Sequence, residues 1–282
     1  MGMLLLLLAT LFAASFGLII SWAQRRGSNL YAVGAINYCL AMVFNLVSHA
    51  RVGGWIPATG TWTIGVAGGI SYIVGFLLLF PAMSLRGVSV STAILRLAAV
   101  VPMLAGWLFW GESLAMFPAI GTGLALLSLP LLTYRGDDEG LKGLDSKSLL
   151  LLLALFVVNG CCMLSVRAFS QTGIEGQTSL FLSILFGSAA TIAVVSWYLH
   201  REGTSKRDLL PGVLLGLDNA LANLALVGAL DRLPGLIVFP FYSSVSLLCA
   251  VIFARLVWGD RISRTETYGM GLAVVAVVLA NL

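Results

Sequence analysis

The sequence has 282 residues, of which 59% are hydrophobic and 10% charged, and its mean hydropathy is +1.00. Soluble domains carry about a quarter charged residues, so these figures exclude a water-soluble globule and place the chain in a lipid bilayer. The formal net charge of +4 comes from lysines and arginines between apolar runs, without the basic stripe and interleaved aromatics of a nucleic-acid binder.

A hydrocarbon core of about 30 Å is crossed by about 20 residues of helix, and within it the backbone must satisfy its own polar groups. Ten apolar runs of that length follow along the chain, at 3–22, 30–49, 62–81, 88–110, 114–133, 148–166, 176–199, 209–230, 234–257 and 266–282. The first lacks the basic segment that opens a signal peptide and is read as a span. Connectors are short except for 135–147, whose charges and glycines mark a solvated linker between 1–134 and 148–282. The expected fold class is an all-α integral membrane protein of ten transmembrane helices. Cys39, Cys161, Cys162 and Cys249 fall inside apolar runs, so neither a disulfide framework nor a metal site is expected, and no cofactor.

Sliding the sequence by 148 positions lays Gly68, Leu85, Gly87, Val90, Leu108, Trp110 and Gly111 on Gly216, Leu233, Gly235, Val238, Leu256, Trp258 and Gly259. Gly121, Gly123, Leu124 and Ala125 likewise fall on Gly269, Gly271, Leu272 and Ala273. The chain therefore reads as a duplicated unit of five spans. An odd number of spans per copy sends the second copy through the membrane in the opposite sense, which predicts two inverted five-helix repeats around a central cavity. Arg25, Arg26, Arg86, Arg135, Lys142, Lys147, Arg201, Lys206, Arg207, Arg255, Arg261 and Arg264 gather on one side, against Arg51, Arg167 and Arg232 on the other. The positive-inside rule then puts the 135–147 linker in the cytoplasm and both termini outside the inner (cytoplasmic) membrane.

The duplication, the Trp110-Gly111-Glu112-Ser113-Leu114 turn and its copy Trp258-Gly259-Asp260-Arg261-Ile262 carry a resemblance to the drug/metabolite transporter superfamily, in particular its ten-span EamA-like members. The resemblance covers nearly the whole chain. It implies a basket of helices lined mainly by spans 1 to 4 and 6 to 9, and a transporter whose direction is export.

An ionisable side chain at mid-membrane is costly and is a functional candidate by default. Arg96 in span 4 and Asp218 in span 8 are the two clear cases. The repeat offset maps them onto Ser244 and Ile70, so the charges break the internal symmetry, as a substrate site would. Arg96 is suited to an anionic group of a substrate, and Asp218 to a cationic group or a coupling proton. The structural alternative is a salt bridge locking the two spans together. Asn219, Asn223, Tyr242, Ser243, Asn159, Ser15, Asn37, Tyr38, Ser71 and Tyr72 lie at similar depth and suit an uncharged, hydrogen-bonding lining, although such residues also serve helix packing. Pro102 and Pro240 inside spans 4 and 9 are candidate hinges or static bends.

Together these residues predict a secondary active transporter of a small polar, amino-acid-like metabolite, working by alternating access with proton coupling. Its partners are that substrate, protons and lipid, and the protein is a monomer or homodimer. Sugar or nucleoside uptake on the same fold is the nearest rival. An intramembrane enzyme would need clustered acids, histidines or a nucleophile with its base, which the spans lack, and a passive channel does not explain asymmetric buried charge.

Overall fold

The computed structural model describes residues 1–111, 146–172, 174–201, 203–233 and 264–279, with positions 120, 124, 127, 235, 238, 239, 241–243, 245, 246 and 249. These form helices α1 (Gly2–Arg25), α2 (Leu30–Ala50), α3 (Thr59–Leu97), α4 (Val100–Trp110), α5 (Ser146–Gln171), α6 (Thr178–Leu199), α7 (Leu209–Leu230) and α8 (Arg264–Leu279). A short 3-10 turn, Lys206–Asp208, leads into α7.

Seven helical stretches among the described residues are long and apolar enough to cross a membrane: 2–25, 30–50, 59–85, 93–110, 146–171, 178–199 and 206–230. They coincide with the expected spans 1 to 4 and 6 to 8. Most of span 5, most of span 9 and most of the 135–147 linker lie outside the described residues.

The helix ends follow from local chemistry. Asn29 caps α2 by accepting from the amides of Tyr31 and Ala32, and Gly111 ends α4 with φ at 64°, a conformation glycine adopts without a side-chain penalty. That accounts for the glycine of the Trp-Gly turn. Glu112 to Leu114, and the second turn from Trp258 to Ile262, lie outside the described residues.

One expectation needs correction. A connector was expected over 82–87, but helix continues unbroken from Thr59 to Leu97, and the break comes at Ala98–Ala99. Twenty residues of straight helix extend about 30 Å. Yet Gly75 lies against Val158 and Cys162, while the Leu95 carbonyl accepts from Asn159 of the same α5 turn. The helical run therefore doubles back between these points, so two crossings are joined without an extended loop.

The helices pack in a consistent set of directions. Gly2 meets Arg232 and Leu233, and Gly228 meets Leu5, so α1 and α7 are antiparallel. So are α2 and α6, through Asn29 with His200 and Met42 with Gly187. The first arm of α3 and α5 are antiparallel too, through Gly60 with Thr172 and Gly68 with Ser165. By contrast α2 runs parallel to α7 (Ile36 with Gly212, Leu40 with Gly216), and α3 parallel to α6 (Gly65 with Ile184, Gly69 with Ser188). Glycine recurs at these crossings because lipid gives helices no hydrophobic reason to associate, and small residues let dispersion contacts form.

Candidate functional site

α1, α2, α3, α5 and α7 surround a cavity of about 100 Å³, on this measure room for several waters or a small solute. Its polar wall comprises Tyr38, Tyr72, Arg96, Asn159, Asp218, Asn219, Asn223 and Tyr242, all expected from the sequence. Ser15 and Asn37 stand one hydrogen bond behind. Ser15 reaches the Asp218 carboxylate, and Asn37 accepts from Asn219 Nδ2 at 3.0 Å. Two expected members lie elsewhere. Ser71 back-bonds to the Ala67 carbonyl at 3.1 Å, and Ser243 is fully buried outside the wall.

The break after Leu97 explains both Arg96 and Asn159. Ala98 N bonds to Ile94 O, but Ala99 N skips back to Arg96 O at 3.2 Å, leaving the Leu95 carbonyl without its usual helical donor. Asn159 Nδ2 supplies one at 2.7 Å. Arg96 sits in the last turn of α3, where the negative end of the helix dipole favours a cation. Its Nη2 donates to the Ala13 carbonyl, and its guanidinium lies 5.3 Å from the Tyr242 ring centroid.

Pro102 falls in the first turn of α4, where its missing N–H removes no interior bond. The carbonyl four residues back, on Ala98, is taken by Val101 N at 3.0 Å. The expected kink is therefore a helix break one turn upstream of Pro102. Pro240 lies outside the described residues.

Asp218 is 5% exposed and Arg96 7%. They share the cavity without a direct ion pair among the described residues. Asp218 Oδ2 and Arg96 Nε are buried without a hydrogen-bond partner among the described residues. Ser15 Oγ lies within reach of two acceptors, Phe12 O at 2.8 Å and Asp218 Oδ1, yet a hydroxyl has a single proton. Beside this pair, Asn223 Nδ2 back-bonds to Asn219 O at 3.0 Å and turns its Oδ1 to the Tyr72 hydroxyl, while Tyr38 OH donates to the Tyr72 carbonyl at 2.9 Å.

Sequence reasoning missed the apolar half of the wall: Phe16, Phe76, Leu79, Met163 and Leu226. Tyr72, Phe76 and Leu79 are spaced for one helix face, a signal that was available. Ring contacts continue from the cavity toward the helix ends at His200: Tyr38 with Phe76 at 5.6 Å, Phe76 with Phe80 at 4.6 Å, Phe80 with Tyr31 at 6.2 Å and Tyr31 with His200 at 4.3 Å. Arg167, expected among the charges at the outer helix ends, is 6% exposed, with its guanidinium 5.9 Å from the Trp110 ring centroid.

Residues 1–134 match the EamA-like transporter family. An uncharacterized protein of Haemophilus influenzae is 22% identical over 280 residues, covering 96% of this chain and 95% of its own. A protein of known crystal structure shares the fold with a TM-score of 0.71 over 99% of this chain and 96% of its own, at 15% identity.

Proposed function

We propose, taking the EamA-like character of residues 1–134 as premise, that this chain is a ten-span secondary transporter that exports a small zwitterionic, amino-acid-like metabolite in exchange for protons. The observation that carries the reading is the pair of buried opposite charges facing one cavity without touching, each with a polar atom left bare. An uncompensated buried charge costs several kcal/mol, so a substrate carboxylate at Arg96 and a substrate ammonium at Asp218 would complete both. The asparagines and tyrosines around them hold each other in place and leave the charges to select.

Alternating access is supported by the helix directions. Each of α1, α2 and α3 runs opposite to α5, α6 and α7 respectively, and each close packing pair maps onto another, or onto itself, when the two sets are exchanged. That is the relation expected of inverted repeats, whose exchange of conformations turns a cavity from one side to the other.

Proton exchange rests on Ser15. When its hydroxyl donates to Phe12 O, the contact with Asp218 needs a proton on the carboxyl; when Asp218 is charged, the hydroxyl turns to it. An ammonium group arriving at Asp218 favours the charged arrangement and so expels the proton. The test is counterflow in proteoliposomes, with radiolabelled amino acids, sugars, nucleosides and organic cations offered under an imposed pH gradient. Saturable zwitterion exchange with opposing proton movement is expected. Uptake of sugars or nucleosides alone, or flux that does not saturate, would overturn the reading.

A further inference from the structure

Helices α6 and α7 both pack along α2 but touch each other little. They leave a groove of about 930 Å³ floored by Ala32, Ala35, Ile36 and Cys39 of α2, and walled by Trp197 of α6 and Leu209 and Val213 of α7. From Ala32 to Val43 the floor is about 17 Å long, close to half of a hydrocarbon core of about 30 Å, which is the depth of one leaflet. One end opens on the loop that carries Thr204, Ser205 and Lys206.

That mouth is basic by construction. Lys206 is exposed, as are Arg201 and Arg207 of the same loop, and Lys206 makes no ion pair among the described residues. Asp208 also borders the groove, but it is 1% exposed and its carboxylate is occupied, accepting from Asn29 N at 3.0 Å and Ser205 N at 2.8 Å. Its charge serves the junction between the α1–α2 loop and the start of α7. Glu202, the remaining acid of this loop, lies outside the described residues.

We infer that this groove is a binding site for one anionic phospholipid of the adjoining leaflet, with an acyl chain laid between α6 and α7 and its phosphate at Lys206. Any lipid can wet an apolar furrow, but the basic mouth at leaflet depth distinguishes an anionic headgroup from a zwitterionic one. A basic side chain near an anionic surface contributes a factor of about five in affinity.

The test compares phosphatidylglycerol with phosphatidylcholine, counting lipid retained on the purified full-length protein by native mass spectrometry and measuring competition for a spin-labelled lipid in nanodiscs. The parent protein is expected to retain one phosphatidylglycerol in preference to phosphatidylcholine. Lys206→Gln, an exposed change that leaves the fold alone, is expected to lower that preference about five-fold, and Val213→Trp, which fills the groove, to abolish retention of both lipids. Arg51→Gln, on the opposite side of the membrane, serves as the control and is expected to change nothing. Equal retention of the two lipids by the parent, or an undiminished preference in the Lys206→Gln protein, overturns the proposal. So does a Val213→Trp protein that loses a dimer rather than a lipid.

Discussion

Replacing Asp218 by asparagine keeps an acceptor for Ser15 and the shape of the cavity wall, and removes only a negative charge and a site for a proton. A substrate ammonium about 4 Å from the carboxylate is attracted by about 4 kcal/mol at an effective dielectric of about 20. Truncating one partner of a buried charged pair costs about 2–5 kcal/mol. Zwitterion affinity should therefore fall by roughly two to three powers of ten. Thermal stability without substrate should hold or rise, because a buried carboxylate with one oxygen unpartnered is itself unfavourable. Titration calorimetry on purified protein, with melting temperatures on the same samples, measures both quantities. A protein carrying Asp218→Asn that binds the zwitterion as tightly as the parent would refute the assignment of the ammonium to this carboxylate. One that binds weakly and also melts early would show the residue to be structural.

Other substitutions probe the frame around the site. A β-carbon on Gly69 would fall 1.9 Å from Ser188 Oγ and 2.2 Å from the Leu185 carbonyl. Gly69→Ala should therefore push α3 off α6 at a cost of about 1–3 kcal/mol, while Gly271→Ala, with nothing within 4 Å among the described residues, should leave the melting temperature unchanged. Asn159→Leu strips the Leu95 carbonyl of its donor and should lower stability by about 1–2 kcal/mol in denaturant titrations, without changing the charge of the cavity. At the C-terminal end of α7, burial raises the Asp231 carboxyl above its ordinary range, opposed by the Ser170 hydrogen bond and by Arg232. The folded state thus holds that proton more tightly than the unfolded chain, so this group's contribution to stability falls as pH rises through the carboxylate range. Asp231→Asn should flatten that part of the pH–melting curve, and an unchanged profile would contradict the sign.

The seven spans seen here were legible because length and apolarity alone decide whether a segment crosses a bilayer. Which way each side chain points was harder to read. Lipid is as apolar as a helix interface, so the contrast that marks the buried face of a soluble helix is absent from runs such as 146–171. Polar residues remained visible against this background, and eight of the expected twelve line the cavity. Nothing in the chemistry of Phe16, Phe76 and Leu79 separates a cavity wall from a lipid contact, and only their spacing from Tyr72 marked Phe76 and Leu79. Ser71 was misplaced for a related reason: a serine can satisfy itself on its own helix and face either way. The continuation of α3 through 82–87 escaped notice because turning a chain inside a membrane does not require turn residues when the backbone stays helical.

The Leu95 carbonyl has two possible donors, Ala99 N through the helix and Asn159 Nδ2 across the helix interface, and the described arrangement uses the second. Straightening α3 into α4 would return that carbonyl to Ala99 and set the Asn159 amide loose beside Arg96. Ala99 N would give up the Arg96 carbonyl for that of Leu95, and the straight form would leave the Asn159 amide in need of an acceptor. A solute with a spare oxygen for the freed amide would then decide between them, tying occupancy of the cavity to the shape of its wall.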